Sequence, residues 1–149
     1  MKNTFILFTS LLITSFAIAQ DRMDRNEKIK ALKTAYITEK LDLTKAEAEK
    51  FWPIYNAFEE RMHELRGQAY KDRKSVDIEN MTEAEANNHL EKLKATNIER
   101  NNLYNQYIID LQGVIASKKI ILLKKVEEDF KRKMFEELKR RHHGKRNNP

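Results

Sequence analysis

Between Ala48 and Ala69 one apolar stripe runs Ala48, Phe51, Tyr55, Phe58, Met62, Leu65 and Ala69, a strict alternation of three- and four-residue steps. Such spacing scatters the seven residues over both faces of a strand but gathers them on one stripe of an α-helix. The segment is therefore expected to be a single helix burying one long seam. At about 29 residues it would reach roughly 43 Å, longer than a small globule needs.

The start of this helix is marked by local chemistry. Thr44-Lys45-Ala46-Glu47 is a capping box, in which the Thr44 hydroxyl accepts from the Glu47 N–H and the Glu47 carboxylate reaches back to the Thr44 N–H. Leu43 just before it can staple against Ala48. Pro53 lies inside the same helix and can give no N–H to the Glu49 carbonyl, a cost of about 3 kcal/mol in an ideal helix. Either the helix starts after Pro53 or it is kinked near Glu49–Pro53. The kink is expected, because both the box and the seam extend N-terminal to the proline. Trp52 and Ile54 flank the seam, so the turn Phe51-Trp52-Pro53-Ile54-Tyr55 is apolar nearly all round.

Three more helices are read the same way. The first covers Asp24–Leu41, with Ile29, Leu32 and Tyr36 at helical spacing. A polar stretch, Lys71–Asn80, reads as the one long loop. Thr82-Glu83-Ala84-Glu85 is a second capping box and opens a helix to Gln112, with Ala86, Leu90, Leu93, Asn97, Tyr104, Ile108 and Leu111 as its expected seam. Gly113 can end it. The last helix is expected over Ser117–Arg141, with Leu123, Val126, Phe130, Met134 and Leu138 inward, and residues 142–149 as a disordered basic tail.

Composition removes most competing classes. Gly 3 and Pro 2 are too few for the tight turns of a many-stranded sandwich or barrel, and too few for a phosphate-cradling glycine loop. Cys 0 excludes thiol catalysis, disulfides and cysteine metal sites. Lys2 followed by an apolar run from Phe5 to Ile18 and by Ala17-Ile18-Ala19 reads as a cleavable export signal, with Ala17 and Ala19 at the cleavage site and Gln20 as the new N-terminus. The run is shorter than the roughly 20 residues that span a bilayer. A chain with no transmembrane segment after the leader, placed in a periplasm, is the expectation.

The net charge of +6 is unevenly placed. Residues 118–149 hold 12 Lys/Arg against 5 Asp/Glu, while residues 20–117 hold 16 against 18. Two accounts stay open: a solvated helix face whose cations offset the C-terminal dipole, or a cationic surface that attracts acidic partners. Lys124, Lys125, Lys131, Arg132, Lys139 and Arg140 would be its centre. Outside the cytoplasm those partners would not be nucleic acid.

Catalytic signals are lacking. Glu59/His63 and Glu85/His89 are each four apart, but no third ligand is assured and no carboxylate is marked by an apolar pocket. No metal, cofactor or catalytic residue is expected, and the chain is not read as an enzyme. Long helices with narrow seams instead suggest an extended, curved four-helix bundle over residues 20–141 that completes its core as a homodimer.

Leu43-Thr44-Lys45-Ala46-Glu47 followed by Phe51-Trp52-Pro53-Ile54-Tyr55 resembles the first signature of the Spy/CpxP-like family of periplasmic helical proteins, which carry two LTxxQ motifs. The resemblance runs from about Ile29 to Arg141 and is nearest to the branch of sensors of ECF-type sigma factors and periplasmic heavy-metal sensors. Glu47 stands where the family has Gln. The second motif survives only as Ile115-Ala116-Ser117-Lys118-Lys119, and Val126-Glu127-Glu128-Asp129-Phe130-Lys131-Arg132 fits the usual continuation. The resemblance implies a cradle-shaped, four-helix dimer. Its chaperone members hold unfolded proteins on a basic concave face without ATP; others sense metal or envelope stress and dock a membrane signalling partner. The expected partners are thus unfolded or acidic protein segments, met through Trp52, Ile54, Lys124, Lys125, Lys131 and Arg132, or alternatively one membrane partner of a sigma-factor pathway.

Overall fold

The structure is a computed structural model that describes the backbone of residues 26–146 and the side chains of residues 26–140. The expected leader, with Ala17, Ala19 and Gln20, and the expected start of the first helix at Asp24 lie outside the described residues. The protein is all-α: among the described residues there are four helices and no strand. They are α1 over 26–40, α2 (Lys45–Lys74), α3 (Glu83–Gln112) and α4 (Ser117–Arg146). No described helix is long and apolar enough to cross a membrane.

Both capping boxes form as read. The Glu47 N–H donates to the Thr44 hydroxyl at 3.2 Å, and the Thr44 N–H donates to the Glu47 carboxylate at 2.8 Å. At the second box the same two bonds measure 3.3 and 2.8 Å, and the Thr82 hydroxyl also donates to Glu85 at 2.9 Å. Helix α2 runs unbroken from its box through Pro53, so a start after the proline is excluded.

Two boundaries move. Helix α2 continues to Lys74, past the expected loop start at Lys71, because Lys71, Arg73 and Lys74 suit the negative end of the helix dipole. Ser75 closes it, its N–H donating to the Lys71 carbonyl (3.0 Å) and its hydroxyl to that of Asp72 (2.8 Å). Helix α4 likewise continues to Arg146 rather than ending at Arg141, which makes residues 142–146 helical and not a disordered tail. Residues 147–149 lie outside the described residues.

The single 20–141 domain read from the sequence divides into two compact units. Among the described residues, one holds 26–42 and 125–146; the other holds Leu43–Lys124. In the first, Ile37, Leu41, Val126 and Phe130 are buried, and the Tyr36 ring packs on Phe130 with centroids 5.6 Å apart. Lys133 lies 4.7 Å above the Tyr36 ring. Asp42, at φ 47°, ends α1 in a left-handed conformation that Asp tolerates better than most residues.

In the Leu43–Lys124 unit α2 and α3 pack antiparallel. Phe58 stacks on Tyr107 with centroids 3.9 Å apart and planes 6° apart, and Arg61 bonds Glu99 at 2.6 Å, so rising numbers on α2 meet falling numbers on α3. Phe51, Tyr55 and Leu65 of the expected α2 seam are buried, with Phe58, Met62 and Ala69 half-buried. The expected α3 seam is out of register. Leu90 and Leu93 are 53% and 55% exposed, whereas Tyr107, absent from that seam, is buried beside Leu111. The aromatic residues of α2 recruit the tyrosines of α3, and stacked or edge-on rings outweigh the leucines of the first turns.

Glu47 has a second role. Its carboxylate receives Lys119 Nζ at 2.8 and 3.1 Å, with both side chains more than three-quarters buried. Lys119 sits in the first turn of α4, which holds no acidic residue of its own, and Ala116 before it has no side chain to cap with. A carboxylate from α2 thus supplies the negative charge that the start of α4 lacks. Lys119 and Glu47 occupy the fifth positions of the two motif stretches, so two departures from the motif pair with each other.

Lys119 and then the Thr44 N–H and hydroxyl hold the Glu47 carboxyl below its ordinary value. Because the folded-state pKa is lowered, the stabilisation is present above the unfolded-state value of 4.5 and lost as pH falls through the folded one. Glu85, bonded to Thr82 and near His89, acts in the same direction. Melting temperature is therefore expected to drop as pH falls from about 5 toward 3. Glu47→Gln should flatten that drop, and should be non-additive with Lys119→Gln. An unaltered acid profile in Glu47→Gln would show that the pair contributes nothing.

Candidate functional site

Pro53, Ile54, Ala57 and Phe58 of α2 face Leu103, Gln106, Tyr107 and Asp110 of α3 across an open groove of about 400 Å3. Helical spacing builds each wall: 53, 54, 57 and 58 share one side of α2, and 103, 106, 107 and 110 one side of α3. The stacked Phe58 and Tyr107 rings form the floor. Tyr55, Tyr104 and Tyr107 continue the ring cluster at centroid distances of 6.4 Å. At the rim the Gln106 side-chain amide donates to Asp110 at 2.8 Å. The groove is an apolar concavity with one acidic edge.

Of the candidate contact residues, Ile54 lines the groove and is half-buried. Trp52 is half-buried too, held edge-on against Phe51 (5.0 Å) and Tyr55 (5.3 Å), so much of its apolar surface serves packing. Lys124 belongs to the same unit as the groove; Lys125, Lys131 and Arg132 belong to the other. All four are exposed on α4, each seven residues from a counterpart: Lys124 with Lys131, Lys125 with Arg132. Arg132 is paired with Asp129 at 2.7 Å, and Arg140 with Glu137, while Lys139 lies over the Phe135 ring. Ile121 and Leu122, on the first turns of α4, are 78% and 37% exposed. Leu43, expected as a staple, is half-buried.

His63 is exposed, and the Glu85 carboxylate beside His89 is engaged by Thr82. Among the described residues no three His, Asp or Glu side chains are grouped to hold a metal.

Leu103, Gln106, Tyr107 and Asp110 escaped the sequence reading. The signal was the four-residue step Leu103-Tyr107-Leu111, a second stripe on α3 that converges with the chosen one at Leu111. Comparison with protein-family models, curated proteins and solved structures returns no match to this chain.

Proposed function

We propose that this protein is a non-enzymatic periplasmic envelope-stress protein that holds exposed segments of unfolded proteins without ATP. The open apolar groove beside Pro53 carries the reading, because a solvated apolar concavity with no catalytic constellation is suited to receive side chains rather than to transform them. Ile121 and Leu122 add exposed apolar surface in the same unit. Lys124, Lys125 and Lys131, which have no ion-pair partner among the described residues, supply a cationic field that speeds encounter with acidic segments. The leader-like N-terminus supports an extracytoplasmic location, and the resemblance of the Leu43–Tyr55 stretch to the Spy/CpxP-like family supports both the class and a homodimer.

The test is aggregation of a denatured client followed by light scattering, with and without the protein and with no ATP. Suppression near stoichiometric ratios is expected. It should weaken when Ile54 is changed to Ser, and again when Lys124, Lys125, Lys131 and Arg132 are all changed to Ser, with helicity unchanged by circular dichroism. No suppression with any of several clients overturns the proposal and favours the sensor of a membrane partner. The scattering mass of the protein alone should be that of a dimer; a concentration-independent monomer removes that part.

A further inference from the structure

The groove and the charged surface of this protein have opposite signs. The Asp110 carboxylate at the groove's rim accepts one bond, from the Gln106 amide, and has no cation paired with it among the described residues. A carboxylate offers about four lone-pair sites, and Asp110 is exposed, so the Gln106 bond uses only part of its accepting capacity. Pro53 lies on the opposite wall, among the apolar residues of α2. The groove therefore joins an apolar floor, made by Ile54, Ala57, Phe58, Leu103 and Tyr107, to an edge that accepts hydrogen bonds.

We propose that the α2–α3 groove selects basic apolar peptide segments. An apolar side chain seats over the Phe58 and Tyr107 rings, and a neighbouring Lys or Arg of the segment reaches Asp110. Charge complementarity at contact argues for this occupant. An acidic segment would place a carboxylate against Asp110, where like charges repel. The volume, about 400 Å3, lies near the lower end for ligand pockets and suits one or two side chains rather than a folded surface. The selection is local, since the net charge of +6 repels a basic peptide at long range. Salt screens that repulsion over about 10 Å at 0.1 M but weakens a close contact less. Binding of a basic apolar peptide should thus hold steady or strengthen with moderate salt, while an acidic apolar peptide drawn to α4 should bind more weakly.

This inference rests on the groove being the binding site proposed above, and the experiment separates the two. Amide chemical shifts of the full chain are followed by NMR during titration with three short Gly/Ser-based peptides: one with Leu and Lys, one with Leu and Glu, one with Lys alone. The Leu/Lys peptide should shift Ile54, Ala57, Leu103 and Tyr107, and bind about two- to fivefold tighter than the Leu/Glu peptide, the range of an exposed ion pair. Asp110→Asn should erase that preference, and Ala57→Phe should block saturable shifts for both Leu peptides, each without changing the melting temperature by more than a few degrees. Equal binding of the two Leu peptides in the groove, or an unchanged preference in Asp110→Asn, overturns the selectivity and keeps the groove. Shifts confined to α4, or none with either Leu peptide, overturn both.

Discussion

Replacing Phe51 by alanine is expected to remove about 3–5 kcal/mol of stability, the range for deleting a buried aromatic side chain. Phe51 is fully buried, stacks on Tyr55 with centroids 5.4 Å apart and meets the edge of Trp52 at 5.0 Å. Truncation leaves a cavity that neighbouring rings, fixed by one another, fill poorly. Because a domain's whole stability is only about 5–15 kcal/mol, the urea midpoint should fall by a large fraction. Trp52→Ala should cost less, since that ring is half-buried. The one tryptophan lies in the Leu43–Lys124 unit, so its fluorescence reports that unit, while far-ultraviolet dichroism reports all the helices. Separate unfolding of the units would displace the fluorescence transition from the dichroism one. A Phe51→Ala loss below about 1 kcal/mol would mean that the side chain is not enclosed.

The second large effect tests the register of α3. Tyr107→Ala is expected to cost about 3 kcal/mol or more, because it removes a 6%-exposed ring stacked on Phe58 at 3.9 Å and leaves Phe58 without its closest partner. Leu93→Ala, at a 55%-exposed position, should stay within about 0.5 kcal/mol. The seam read from spacing predicts the reverse order, so the pair of variants decides between two faces of one helix. Tyr107→Ala should also open the groove floor and weaken client binding beyond what its stability loss explains. If Leu93 proved the costlier site, α3 would be packed through the face that the structure exposes.

These two positions show where sequence reading stops. The α2 seam was legible because one regular stripe runs the length of the helix from Ala48 to Ala69, and Phe51, Tyr55 and Leu65 on it are buried. On α3, Leu90, Leu93, Ile98, Leu103, Tyr104, Tyr107, Ile108, Ile109 and Leu111 surround much of the helix, so periodicity offers more than one stripe and cannot rank them. The rank comes from Phe58 and Tyr55, which sit on another helix and reward aromatic partners. The groove was half legible. Ile54 and Pro53 stood out in an apolar turn, but Asp110 and Gln106 read as ordinary surface residues until α2 was laid opposite them.

What the amino-acid sequence determined alone is the local structure: the all-α class, the two boxed helix starts at Thr44 and Thr82, and the inward face of α2. Each rests on residues within one or two turns, where bonding and spacing do not depend on the rest of the chain. Tertiary structure decided the face of α3 that is buried, the pairing of Glu47 with a lysine 72 residues away, and the meeting of Asp110 with an apolar floor. Those outcomes depend on which distant surfaces touch, and each such contact gains energy only once both partners are in place.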